Sequence, residues 1–217
     1  NTEIFKSNNP FPFICFKDFF DKSYLDEVLT DFPDLAVQKK TNEFNTPTDK
    51  KKFATNQEFE FPSKISDLLN FLNSFKFLNF LQKLTGVKET LIPDPYFHGG
   101  GLHEIKRGGF LKIHSDFNYH PLLKLDRRLN LLVYLNKNWQ EDYGGHLELW
   151  NKDMTRCEKK ISPIFNSVVI FKTDDTSYHG HPEPIQCPED ITRKSIALYY
   201  YSNGRPIEER NSKMTFH

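Results

Sequence analysis

The feature that most limits the fold is a change of apolar periodicity near residue 91. Before it, two stretches keep helical spacing. Phe19, Tyr24, Leu25, Val28 and Leu29 follow Asp18 as N-cap and stop before Pro33, predicting a helix over 18–29. Ile65, Leu68, Leu69, Leu72, Phe75, Leu78, Leu81 and Leu84, capped by Ser63 and closed by Gly86, predict a second helix. After Leu91 the apolar residues fall into short strand-like runs at 101–105, 110–117, 128–135, 145–150, 167–171 and 194–201. Gly, Pro, Asn and Asp turns separate them. Recurring short strands with frequent turns predict an antiparallel barrel or double-sheet jelly roll. The expected class is α+β, mainly β. Residues 1–217 read as a single domain. A helical support region over 1–90, with a short strand at 11–16, packs on one sheet of a jelly-roll core over 91–202.

Inside the run 110–117 stand His114, Ser115 and Asp116. Residues i and i+2 of a strand point to one face. An imidazole and a carboxylate therefore leave the backbone side by side, as two corners of a metal site. Two His and one carboxylate with open positions form the facial triad of non-haem Fe(II) oxygenases. A lone His-x-Asp is common by chance, so the reading depends on partners further along the chain. Tyr178-His179-Gly180-His181-Pro182 offers two further imidazoles. Either can complete a triad, with the other behind it or facing substrate; the plain alternative is a pair of turn residues. Arg193-Lys194-Ser195 opens the last run. A guanidinium there can hold a dicarboxylate through two parallel hydrogen bonds, with Ser195 on the same face. A surface arginine is the competing reading. In 128–136, Asn130, Leu132 and Tyr134 share one face, and the other face is wholly apolar. Buried polar groups on such a face need partners, either a bound ligand or a structural hydrogen bond.

Composition narrows the classes. Lys+Arg and Asp+Glu are both 29, a formal net charge of zero. Proteins that work mainly on nucleic acid usually carry a basic excess. The 21 Phe and 9 Tyr suit a β-rich aromatic core. Cys15, Cys157 and Cys187 are far apart and lack zinc spacing, which predicts reduced thiols. No apolar run is long enough for a membrane span, and no signal-peptide pattern opens the chain. A cytoplasmic protein is expected. The polar stretch 36–62, with Lys39-Lys40 and Lys50-Lys51-Lys52, reads as a solvated loop or edge.

Six segments in order carry a family resemblance. They are Gly99-Gly-Gly-Leu-His-Glu-Ile105, Gly108-Gly-Phe-Leu-Lys-Ile-His114-Ser-Asp116-Phe-Asn118, and Arg128-Leu-Asn-Leu-Leu-Val-Tyr-Leu-Asn136 followed by Trp139. Gly144-Gly-His-Leu-Glu-Leu149, Tyr178-His-Gly-His-Pro182 and Arg193-Lys-Ser-Ile-Ala-Leu-Tyr-Tyr200 complete the set. Together they resemble the Fe(II)- and 2-oxoglutarate-dependent dioxygenases, in the prolyl 4-hydroxylase-like branch. The resemblance implies that His114, Asp116 and His179 bind Fe(II), with His179 preferred to His181. It implies that Arg193 pairs with the distal carboxylate of 2-oxoglutarate, helped by Tyr134 and Ser195, and that ascorbate supports turnover. The implied reaction is hydroxylation of a C–H bond with release of succinate and CO2. The presence of Asp116 favours hydroxylation over halogenation. The implied substrate is a prolyl or other peptide side chain, or a small metabolite. A cupin-like metal-binding isomerase or non-redox module is the alternative, and it leaves Arg193 and Tyr134 without a task. Demethylation of nucleic acid bases would use the same iron site but fits the neutral charge poorly. His103, Asn118, Tyr119, His120 and Arg127 flank the site in sequence and read equally as substrate contacts or structural groups. His98 and His146 read as turn or surface residues.

Overall fold

The computed structural model describes residues 2–38, 41–55, 61–209 and 215. Four helices are described: α1 (Thr2–Ser7), α2 (Lys22–Thr30), α3 (Ser63–Leu72) and α4 (Phe75–Thr85). Eleven strands form one curled sheet: β1 (Phe13–Phe16), β2 (Asn42–Phe44), β3 (Asp49–Thr55), β4 (Ile92–Pro93), β5 (Gly101–His114), β6 (Asp126–Tyr134), β7 (Leu147–Trp150), β8 (Cys157–Ile161), β9 (Val168–Lys172), β10 (His179–His181) and β11 (Arg193–Ser202). The order is β1-β9-β6-β11-β5-β10-β7-β8, and every named pair is antiparallel. The mainly β architecture of a jelly roll is therefore present.

β5 is the strand that bends the sheet on itself. Its first residues pair with β11 at 101–105, and its last pair with β10 at Leu111 and His114. The chain kinks between these halves at Gly108 (φ 77°) and Gly109. A Cβ on Gly109 would lie 2.5 Å from Ile105 Cγ2 and 2.7 Å from the Lys50 carbonyl oxygen. Only glycine lets β3 approach this closely. The two expected runs 101–105 and 110–117 are thus one strand.

The alternation in β6 sorts the core. Leu129, Leu131, Val133 and the following Leu135 pack with Val168, Ile170, Ile196 and Leu198 under the apolar faces of α2, α3 and α4. The opposite face carries Tyr134 and Leu132 with Leu147, Leu149, Val169 and Phe171. The helices therefore cover one face, and the other lines the inside of the roll.

Several local expectations are corrected. Helix α2 begins at Lys22, with Asp21 rather than Asp18 as N-cap; Asp21 accepts from the Tyr24 backbone N–H at 3.0 Å. The backbone before it is held elsewhere, because Phe20 N–H donates to Asn166 Oδ1 at 2.9 Å. The helix expected from Ser63 to Gly86 is broken at Asn73-Ser74, where Ser74 caps α4 through the Phe77 N–H. The N-cap of α3 is Pro62, not Ser63, while Gly86 closes α4 as expected. The stretch 36–62 contains the hairpin β2–β3, paired along the edge of β5. Lys39 and Lys40 lie outside the described residues, as do positions 56–60. β8 and β10 had no strand signal, being polar or very short.

Candidate metal and cosubstrate site

Pairing of β10 with β5 sets His179 opposite His114. Asp116 stands two residues after His114. One donor atom from each of His114, Asp116 and His179 lies within 4.8 Å of the others. His114 Nε2 is 3.6 Å from Asp116 Oδ1, and His179 Nε2 is 3.4 Å from Asp116 Oδ2. The other ring nitrogens face backbone carbonyls: His114 Nδ1 meets Lys112 O at 2.8 Å and His179 Nδ1 meets Ser177 O at 2.9 Å. A carbonyl only accepts, so each Nδ1 carries the proton and each Nε2 presents a lone pair to the carboxylate. That is the tautomer a metal requires. The cluster contains His179 and not His181, which sits opposite Leu111.

Asp116 is held from behind. Its Oδ2 accepts from Asn130 Nδ2 at 2.6 Å and lies 3.1 Å from Arg127 Nη2. Arg127 is fully buried, with its Cζ 4.4 Å from the Phe117 ring centre and 3.4 Å from that of Tyr199. It also donates from Nε and Nη2 to Asn130 Oδ1, at 2.9 and 2.6 Å. Burial alone would raise the carboxyl pKa; Arg127 and the two imidazoles outweigh it and hold Asp116 well below the usual carboxylate range. Burial, opposed by the Asp116 charge, takes His179 down to about 4, so this imidazole is neutral near pH 7. Two imidazole nitrogens and one ionised carboxylate, with a cavity in front, fit iron(II).

Arg193 opens β11 in the same cavity, which has a volume of about 450 Å³. Its Nε donates to Gly145 O at 2.8 Å, and its Nη2 donates to Tyr134 Oη at 3.3 Å. No described carboxylate lies within ion-pair distance of it, so a buried guanidinium is left facing the cavity. Such a group suits the carboxylate of a bound dianion. Tyr134 is fully buried behind it, with the ring centre 5.0 Å from Arg193 Cζ, and does not itself line the cavity. Ser195 does line it, opposite Tyr134 and His103. His103 is also in the wall, and its pKa is pushed down to about 3 by burial first and then by Lys52. Asn118 instead donates to Asp175, and His120 Nδ1 accepts two backbone N–H groups while its Nε2 faces Asp94 at 3.3 Å. These two are structural. The sequence reading did not anticipate Arg127 as the clamp on Asp116, nor Phe44, Asp49 and Lys52 of the hairpin in the cavity wall.

Residues 100–201 match the family model described as the 2OG-Fe(II) oxygenase superfamily. That stretch, just under half of the chain, is similar to the superfamily in sequence. The description of that family names Fe(II) and 2-oxoglutarate. A prolyl 3-hydroxylase, OGFOD1 of Mus musculus, is 30% identical over 79 residues, which span 35% of this chain and 14% of that protein. The match thus covers a small part of the relative's length. A Pseudomonas putida prolyl-4-hydroxylase has the same fold, with a TM-score of 0.66 at 11% identity, covering 94% of this chain and 98% of that one. A Trichoplax adhaerens prolyl hydroxylase, solved with a fragment of a hypoxia inducible factor oxygen degradation domain, gives a TM-score of 0.64 at 18% identity over 93% of this chain and 87% of that one. No helix among the described residues is long and apolar enough to cross a membrane.

Proposed function

We propose that the protein hydroxylates a C–H bond, using Fe(II) held by His114, Asp116 and His179 and 2-oxoglutarate held by Arg193. The observation that carries this is the placement of the His-Asp-His cluster and an unpaired buried arginine in one cavity. Iron(II) held there with 2-oxoglutarate and O2 would supply the oxidising chemistry: one oxygen atom of O2 would enter succinate as CO2 leaves, and the other would enter the substrate C–H bond. The chain's own residues bind and orient. Lys112 O and Ser177 O fix the imidazole tautomers, Arg127 and Asn130 fix the carboxylate, and Gly145 O and Tyr134 aim the guanidinium. Leu111, Leu132, Leu147 and Phe171 in the cavity wall keep bulk water from the reacting carbon. No side chain is needed as a general base.

A prolyl or other peptide side chain is the preferred substrate class, supported by the prolyl hydroxylases among the relatives. A small metabolite is the second. The three cysteines are free thiols, in keeping with a reducing cytoplasmic setting. Purified protein given Fe(II), ascorbate and 2-oxoglutarate is expected to release succinate slowly even without substrate, and a gain of one oxygen in a cognate lysate, read by mass spectrometry, identifies the substrate. Absence of both succinate and 2-oxoglutarate binding would sink the proposal.

A further inference from the structure

Strand register places a second cation in the cavity. Lys52 on β3 and Arg193 on β11 both pair with Ile105 of β5. Directly opposed residues of antiparallel neighbours share a face. Ammonium, isoleucine and guanidinium therefore form one row across three strands, and all three line the cavity. With strands about 4.8 Å apart, the backbones of the two cations are about 10 Å apart. Asp49 and His181, both opposite Leu111, lie beyond the glycine kink of β5.

Lys52 is not a solvated lysine, although it ends a run of three. Its side chain is 17% exposed, whereas Lys51 is exposed and reaches back to Arg107 O at 3.0 Å. The nearest anion to Lys52 is Asp49 Oδ1 at 3.6 Å, beyond hydrogen-bond length, and Asp49 Oδ2 already accepts from Thr48 Oγ1 at 3.0 Å. That long ion pair is the lysine's one side-chain partner among the described residues, so Nζ has donors to spare. Its other neighbour is the Phe44 ring, 5.1 Å from Nζ to the centre. His181 is 4% exposed, and neither of its ring nitrogens has a partner among the described residues. It lines the same cavity. An imidazole keeps at least one N–H to donate. A desolvated ammonium and a buried imidazole with unused donors are costly unless a ligand takes them up.

This step rests on the proposed function, in which one carboxylate of 2-oxoglutarate goes to Arg193 and the other to the metal. Lys52 and His181 are then left over. We propose that they form a second carboxylate-binding subsite in the catalytic cavity. Its anion is either an acidic group of the substrate beside the carbon to be oxidised, or the metal-side carboxylate of the cosubstrate.

Two titrations on Mn(II)-loaded protein separate these sources, using wild type, Lys52→Met, Lys52→Arg and His181→Leu, each first shown to be folded by its thermal melt. The first measures 2-oxoglutarate affinity by calorimetry. The second adds acetyl-Asp-Pro-amide or acetyl-Asn-Pro-amide to the 2-oxoglutarate-loaded protein and reads paramagnetic broadening of the dipeptide protons. With a substrate anion, the Asp dipeptide binds wild type roughly tenfold tighter than the Asn one, the size of one charge-assisted hydrogen bond. Lys52→Met and His181→Leu erase that preference, Lys52→Arg keeps it, and 2-oxoglutarate affinity is unchanged. A tenfold loss of 2-oxoglutarate affinity in Lys52→Met assigns the subsite to the cosubstrate instead. Variants that match wild type in both titrations overturn the subsite. If wild type takes up no 2-oxoglutarate, the parent function fails, and the dipeptide titration on the Mn(II) protein alone still decides the subsite.

Discussion

At the scale of single residues, the site divides into groups that can touch the metal and groups that hold those in place. His114→Ala, Asp116→Ala and His179→Ala are each expected to abolish metal binding and turnover, whereas His181→Ala keeps the metal and some turnover. Titration with Mn(II) or Co(II) checks this; loss of metal in His181→Ala with retention in His179→Ala would reverse the assignment of the third ligand. Arg193→Ala is expected to remove 2-oxoglutarate binding while leaving metal affinity intact, which also separates an oxygenase from a cupin-like module. Arg127 acts through Asp116. With Oδ2 bound by Asn130 and Arg127, Oδ1 keeps its lone pairs for the metal. Arg127→Met should weaken metal binding roughly 10- to 100-fold, the usual effect of removing a group that orients a ligand. An unchanged dissociation constant would show that Asn130 suffices. His114, Asp116 and Arg193 were legible in the sequence because residue type and spacing announce them. Arg127 was noticed only as a neighbour. Its role depends on Phe117 and Tyr199 closing around it from two other places in the chain.

At the scale of elements, the site depends on how β10 lies against β5. A Cβ on Gly180 would sit 2.8 Å from the carbonyl oxygens of both Leu111 and Lys112. Those are backbone atoms that cannot move aside. Gly180→Ala is therefore expected to push β10 off β5 and carry His179 away from Asp116. Metal affinity should drop roughly tenfold or more while the circular dichroism of the sheet is kept. A variant with wild-type affinity would mean the strand can shift without disturbing the triad. The sequence suggested most strands but not this one, since a His-Gly-His segment has no strand periodicity and owes its conformation to neighbours on both sides. The hairpin β2–β3 is similar: its polar lysine-rich sequence looks like a solvated edge, and only its pairing with β5 turns Lys52 inward.

At the scale of the whole molecule, burying imidazoles makes stability depend on pH. His103 is held down to about 3 and His179 to about 4, against an ordinary value near 6.5. Between those values the unfolded chain takes up protons that the folded chain refuses. The metal-free protein should therefore lose stability as pH falls from 6.5 toward 4, by on the order of 5 kcal/mol from these two imidazoles. Asp116, held low, adds a further loss at more acid pH, while His114, whose pKa is raised by Asp116 against the opposing effect of burial, works in the opposite direction. Thermal melts of metal-free protein across pH 7 to 4.5 measure the balance; a flat melting temperature would refute it. The sequence by itself determined the helical layer and the recurring strands, and it singled out His114, Asp116 and Arg193 as candidates, because periodicity and side-chain type are local properties. Its residues preferred His179 to His181 only through the family resemblance, and it held no sign of Lys52 in the cavity. Only the tertiary structure decided that His179 rather than His181 lies beside His114 and Asp116 and that Lys52 lines the cavity, since register across β3, β5, β10 and β11 fixes which distant residues share a face.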